Sequence, residues 1–386
     1  MLEPETISTD SNKKPKSKIR EWSDAIVFAV VAATLIRWLF LEAFKIPTPS
    51  MEKSLLVGDF LFVSKFHYGS RIPKTILQLP LTHQTIWGTS IPSYLDWIQL
   101  PDFRLPGLSE VKRNDVVVFN FPPEEQYPID LKTNYIKRCI AQAGDILEVK
   151  EGDAYVNGKL ADMPEKIQHS YLIVSKDMLT PKFLLEHNIT DLEQVAPLQY
   201  QKSLKLWKEL DKYDSTANHP VMVVHTSPET AKKLKNYDFV LDVLRVIRPK
   251  GVDDERVFPK LKGLGWSMDN YGPVTIPKAG SRVEINRLNA ALYGEIIKKY
   301  EGNDQVEINV EAGSIKIDGN QIKDYTFKQN YYFMMGDNRH NSLDSRCWGF
   351  VPENHVVGKG FMIWWSVAPP NEESGIRWNR IFNLIQ

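Results

Sequence analysis

A basic cluster followed by a run of apolar side chains constrains this chain more than any other feature. Lys13, Lys14, Lys16, Lys18 and Arg20 precede an apolar stretch from about Ala25 to Phe44. As a helix rising about 1.5 Å per residue, that stretch covers about 30 Å, the thickness of a bilayer's hydrocarbon core. The positive-inside rule then leaves the residues before it in the cytoplasm and everything after Lys45 outside. A removable secretory signal has the same basic start and apolar middle, but here the run continues through Trp38–Leu41 and no small-x-small cleavage site follows. The flanking charges argue against a buried core helix. Arg37 is the awkward residue, costing about 2.5 to 3.5 kcal/mol at the centre of a span and less if its side chain reaches outward.

Beyond this anchor the chain reads mostly as strands. Asp59–Ser64, Asp115–Phe119, Ile146–Val149, Val221–Val224 and Tyr331–Met335 are short, rich in β-branched and aromatic residues, and bounded by turn formers. Asn157-Gly158 and Asp318-Gly319 predict tight hairpins. With 48 basic and 48 acidic residues the chain is neutral, which argues against nucleic acid as its partner. The segment from about Tyr68 to Leu108, rich in Pro, Trp and Leu, reads first as an extended packed loop and second as a surface that dips into the bilayer. Ala143–Val149 echoes Ala279–Ile285, and Val149–Gly158 echoes Val310–Gly319, as if one strand-and-hairpin unit were duplicated with a helix over Asn286–Ile297 splitting the second copy.

The chemistry lies in three separated fragments. Ser50 stands just beyond the apolar run in Ile46–Asp59 (IPTPSMEKSLLVGD), and its hydroxyl is a poor nucleophile until a base takes its proton. No histidine has an evident triad setting. A lysine can serve only when neutral, and from a reference pKa near 10.4 this requires desolvation, which lowers it by up to about 3 to 5 units. Lys137 fits that demand: in Asn134–Ala141 (NYIKRCIA) the period-2 alternation puts Tyr135, Lys137 and Cys139 on one strand face. The third fragment is Gly336–Arg346 (GDNRHNSLDSR).

In order and spacing these fragments, with Asn114–Phe119 between the first two, resemble the sequence blocks of bacterial type I signal peptidases. The resemblance implies that Ser50 is the nucleophile, Lys137 the general base, and Ser342 a hydrogen-bond partner that orients the lysine amine. It implies an oxyanion hole made by the Ser50 N–H and the Thr48 hydroxyl, such donors being worth roughly 3 to 4 kcal/mol each. Tyr135 and Met334 match positions that pack around the lysine, and Asp344 with Arg346 matches a structural ion pair. The implied substrates are exported preproteins with a small-x-small site, bound as an extended strand, with no metal or cofactor required. Lys53 and Ser54, Asn114, Gln142-Ala143 and His340 depart from the commoner pattern, and none of these changes removes a catalytic atom.

The expected architecture is mainly β: a single membrane helix, then an external catalytic domain of coiled antiparallel sheets with an α+β insertion. The expected boundaries are a cytoplasmic tail over 1–21, the anchor at 22–45, the first part of the catalytic core at 46–161 and an accessory insertion at 162–271. A second hairpin unit with its helix follows at 272–325, then the last part of the core at 326–368 and a tail at 369–386. The insertion begins helices at Thr180-Pro181 and Ser227-Pro228; it carries no catalytic constellation, and the secretion translocon is a candidate partner for it. Cys139 and Cys347 read as free thiols, His340 and His355 as surface or loop residues, and Asp337 with Arg339 as a pair within a turn. Two rivals compete with the peptidase. One is an S-x-x-K enzyme of the penicillin-binding type using Ser50 and Lys53, although S-D-N and K-T-G are absent. The other is a non-enzymatic membrane-anchored binding domain.

Overall fold

The computed structural model describes residues 17–162, 164–194, 219–369 and 375–385. Its first element is the helix Lys18–Leu39, whose cap Ser17 accepts a hydrogen bond from the Arg20 N–H and which buries no residue against the rest of the chain. This helix is long and apolar enough to cross a membrane. It stops at Leu39, five residues short of the expected end at Phe44. Leu41–Lys45 is instead a strand, paired antiparallel with Asp59–Ser64. The physical reason is charge: Glu42 receives Arg37 Nε at 2.8 Å and Lys65 Nζ at 2.8 Å, an ion-paired cluster that ties residues 41–45 to the sheet rather than to the apolar helix. Arg37 thereby sits in the last helical turn beside its acid rather than at mid-span.

The edge strand Leu41–Lys45 opens the largest sheet. From it the order runs through Asp59–Ser64, Val356–Ser366, Val116–Asn120, Asn134–Ala141 and Tyr331–Met335 to Val351–Pro352, all antiparallel, with Asn383–Leu384 added beside Val356–Ser366. Val116–Asn120 is buried on both faces, which explains an unbroken apolar run where a half-exposed strand would alternate. One face packs Ile46, Met51, Leu55, Leu61, Val63, Val116 and Val118; the other packs Tyr68, Val117, Phe119, Cys139, Tyr332 and Met334. Each such side chain contributes about 1.5 to 3 kcal/mol by leaving water. Met51 and Leu55 therefore hold the segment around Ser50 onto the sheet.

A second core joins the three-stranded meander Ile146–Lys150, Asp153–Val156 and Lys159–Leu160 to the strand Tyr271–Thr275 and the helix Arg287–Lys299. Asn157-Gly158 and Asp318-Gly319 both adopt positive φ at both positions, as a type I′ hairpin turn requires. The internal echo is partly met. Ser314–Ile317 pairs with Val306–Asn309 and Asn320–Ile322, forming a second meander like the first, whereas the strand Arg282–Glu284 pairs with Asp324–Thr326. The counterpart of Ile146–Lys150 is thus Val306–Asn309 and not the stretch Ala279–Ile285.

The insertion has a core of its own. Its sheet runs Leu192–Gln194, Val221–Thr226, His169–Ser175, Val240–Arg245, and the helices Pro181–Glu186 and Pro228–Leu234 cover it over Ile173, Leu184, Val224, Leu234 and Val243. Both helices start where a hydroxyl precedes proline: Thr180 accepts from the Phe183 N–H and Ser227 from the Thr230 N–H. The segment 68–108 departs from the packed loop expected of it. It carries a short hairpin, Thr75–Gln78 with Tyr94–Gln99, and presents Ile91, Phe103 and Leu108 to solvent along with Trp87 at 72% and Trp97 at 79% exposure.

Candidate active site

Ser50 occupies the short 3-10 turn Pro49–Met51, started by Thr48 in extended conformation with proline in the first position. At the start of such a turn an N–H has no acceptor within the turn, so the Ser50 N–H is available to a ligand. The Thr48 hydroxyl makes no capping hydrogen bond and lies 3.5 Å from Ser50 Oγ. Lys137 projects from the strand Asn134–Ala141, which the Val116–Asn120 and Tyr331–Met335 strands flank on either side. Its Nζ lies 2.8 Å from Ser50 Oγ and donates to the Ile136 carbonyl at 2.8 Å. Lys137 is 4% exposed and Ser50 8%. The Tyr135 ring, stacked on Phe121, covers the amine at 5.4 Å.

Burial pushes the Lys137 pKa down to about 8, against the opposing pull of the Asp344 and Asp337 carboxylates. Both acids are themselves committed elsewhere. Asp344 holds Arg346 through Nε at 2.9 Å and Nη2 at 2.8 Å, and its second oxygen receives the Gly336 N–H at 3.0 Å. Asp337 takes a two-pronged contact from Arg138, at 2.8 and 2.7 Å, across neighbouring strands. This corrects the expected Asp337–Arg339 pair: the partner of Asp337 comes from the lysine's own strand. All four of these side chains are fully or almost fully buried.

Gly336 is the contact point between the third fragment and the first. A Cβ there would fall 2.6 Å from the Ser50 carbonyl oxygen and 2.2 Å from Ser342 Oγ, so only glycine fits. Ser342 is buried beside this point, with its hydroxyl directed at the neighbouring Asp344 carboxylate rather than at Lys137. Met334 pairs with Cys139, two residues along the strand from Lys137, and is wholly buried.

The departures from the commoner block pattern have local explanations. Asn114 adopts φ +69°, a conformation natural to glycine and tolerated by asparagine. Lys53, also at positive φ, directs its amine to Glu52 at 3.6 Å and Thr190 at 3.3 Å. His340 accepts the Ser170 N–H at Nδ1, which leaves Nε2 to donate to Asp269 at 2.7 Å, so it links the third fragment to the insertion rather than lying at the surface. His355 is a second correction: it is buried, between Lys132 Nζ at 3.3 Å, Asn354 and the Tyr300 ring. Cys139 and Cys347 are free thiols. Sequence reasoning missed Asn338, Gln168, Thr190 and Asp191, which join the insertion to the site, because nothing local marks contacts spanning well over a hundred residues.

A mostly β domain that closes on a buried serine and lysine, behind a helix of membrane-crossing length, has the parts that a membrane-bound serine peptidase needs. The sequence profile of signal peptidases, peptidase S26, matches residues 19–207 and 275–365, and the chain belongs to that family. It is 26% identical over 352 residues to "Signal peptidase I" of Buchnera aphidicola subsp. Schizaphis graminum, an alignment covering 91% of this chain and 77% of that protein. With "Signal peptidase I" of Helicobacter pylori, strain 26695, identity is 24% over 378 residues, 93% of this chain and 90% of the relative. Its Haemophilus influenzae counterpart is 22% identical over 385 residues, 99% and 80% respectively.

Proposed function

We propose that this peptidase removes signal peptides from exported preproteins after a small-x-small site, with Ser50 as nucleophile and neutral Lys137 as general base. The observation that carries the reading is the 2.8 Å contact between Ser50 Oγ and a buried lysine amine whose pKa is pushed down to about 8. Lys137 takes the hydroxyl proton as Oγ attacks the scissile carbonyl. The developing oxyanion is received by the Ser50 N–H and the Thr48 hydroxyl. Lys137 returns its proton to the leaving amine as the peptide bond breaks. The amine, neutral again, then activates a water that releases the acyl group and regenerates Ser50. In this reading Asp337 and Asp344 serve the structure, and Ser342 comes to orient the lysine when the site is occupied.

The test is a pH profile. A protonated ammonium cannot accept a proton, so kcat/KM for a preprotein with an Ala-x-Ala site is expected to rise about tenfold per unit through the acid range and level off near pH 8. A rate that stays flat from pH 5 to 9, with the chemical step limiting, sinks the assignment of Lys137 as base.

In the same reading the helix Lys18–Leu39 crosses the cytoplasmic membrane once, with its basic flank inside and the catalytic domain outside. The exposed apolar surface of residues 76–108 then rests on the outer leaflet, beside substrates whose own signal helix lies in the bilayer. Its tryptophans provide the check. With the full chain in bilayers containing brominated lipid, Trp97→Phe is expected to remove a quenched component of the fluorescence. Quenching that is unchanged in both Trp97→Phe and Trp87→Phe places this surface in water.

A further inference from the structure

The inserted module touches the rest of the protein at the two segments that build the site. Gln168 and Asn338 form a parallel bridge, the Gln168 N–H donating to the Asp337 carbonyl at 2.9 Å and the Gln168 carbonyl receiving the Arg339 N–H at 3.0 Å. On the other side of the module, the Thr190 hydroxyl donates to Glu52 at 3.3 Å, two residues beyond Ser50. Next to Thr190, one oxygen of Asp191 receives the side-chain amides of Asn338 at 3.0 Å and Asn341 at 2.7 Å. Asp191 is itself fixed to the module: its carbonyl receives the His225 N–H, and Ile189 is buried in the module's core.

Asn338 carries this support to the nucleophile. It is fully buried; its backbone N–H donates to the Ser50 carbonyl at 3.1 Å and its side-chain amide reaches the Pro49 carbonyl at 3.4 Å. The Pro49 carbonyl and the Ser50 N–H belong to one planar trans peptide unit and point in opposite directions. A group that fixes the carbonyl therefore aims the N–H. We infer that Asp191 of the inserted module is a positioning residue for catalysis: by orienting the Asn338 amide it sets the tilt of the Pro49–Ser50 peptide, and so the aim of the Ser50 N–H at the oxyanion. This rests on the proposed role of Ser50, and it gives the insertion a part in the chemistry although it supplies no reacting group.

Loss of one oxyanion donor costs about 10² to 10³ in rate, and misaiming it costs less. Asp191→Ala is expected to lower kcat about tenfold while leaving KM and the pH midpoint of kcat/KM unchanged, since Lys137 is untouched. Asp191→Asn, which keeps an acceptor oxygen, recovers most of the loss. A second comparison works even if the alanine variant fails to fold. Asn338→Asp turns the donor shared by Asp191 and the Pro49 carbonyl into an acceptor and lowers kcat; combining it with Asp191→Asn relieves the repulsion between the two carboxylates but still leaves the Pro49 carbonyl without a donor, so stability recovers and kcat does not. Wild-type kcat in folded Asp191→Ala, or a rate restored in the exchanged pair, overturns the inference. Ser50→Ala, assayed alongside, separates the two claims: if it still cleaves, the nucleophile assignment fails; if it is inactive while Asp191→Ala has wild-type kcat, only the role of Asp191 fails.

Discussion

Lys137→Ala is expected to lower kcat/KM at pH 8 by at least about 10³-fold, the upper range of what a positioned general base supplies. Lys53→Ala is expected to stay within about tenfold of the wild type. The two lysines compete for one role in the sequence, because Ser50-Met-Glu-Lys53 is an S-x-x-K string and Lys137 lies far away along the chain. Geometry separates them. Lys137 reaches the serine hydroxyl from a strand in the middle of the sheet, in a setting dry enough to make a neutral amine accessible near pH 8. Lys53 turns toward Glu52 and Thr190. The comparison uses an Ala-x-Ala preprotein, with folding and membrane insertion of each variant verified by circular dichroism and carbonate extraction. An inactive Lys53→Ala beside an active Lys137→Ala transfers the base to residue 53 and removes the proposed mechanism.

The second large effect falls on stability. Asp344→Ala is expected to destabilise the catalytic domain by about 3 to 5 kcal/mol, read from urea unfolding of the full chain in detergent. The substitution strands the Arg346 guanidinium, which has no exposed surface and among the described residues keeps the Met268 and Arg339 carbonyls as hydrogen-bond partners. It also takes the acceptor from the Gly336 N–H, and Gly336 is the residue against which the Ser50 carbonyl is packed. Loss of activity at temperatures where the variant remains folded would accompany the destabilisation. A midpoint within about 1 kcal/mol of wild type means that water reaches Arg346 and that the pair is not structurally required.

What could be read from the sequence, and what could not, divides along the range of the interactions. Local rules worked well. Asp59–Ser64 and Tyr331–Met335 form strands with those very ends, both hydroxyl–proline pairs start helices, and both X-Gly dipeptides make I′ turns. The meeting of Ser50 with Lys137 followed from desolvation logic together with strand alternation, since a lysine on an inward face needs a chemical reason. Boundaries decided by charge pairing in space were harder: Leu41–Lys45 continues the apolar run on paper, and only Arg37 and Lys65 converging on Glu42 show why the helix must end before it. Partner choice was hardest. Asp337 turns away from its sequence neighbour Arg339 toward Arg138, His355 is drawn into a buried site with Lys132, and Asp191 finds Asn338 from a separate module. No periodicity encodes those meetings.

The passage from helix to sheet occupies a single residue, Phe40, whose carbonyl is held by the Lys65 N–H while the Trp38 indole binds the Arg71 carbonyl. These two hydrogen bonds leave no free linker between the helix and the sheet. If the helix spans the bilayer as proposed, this junction sets the height of Ser50 above the lipid, and the length of an incoming signal helix would then be read against that of the anchor.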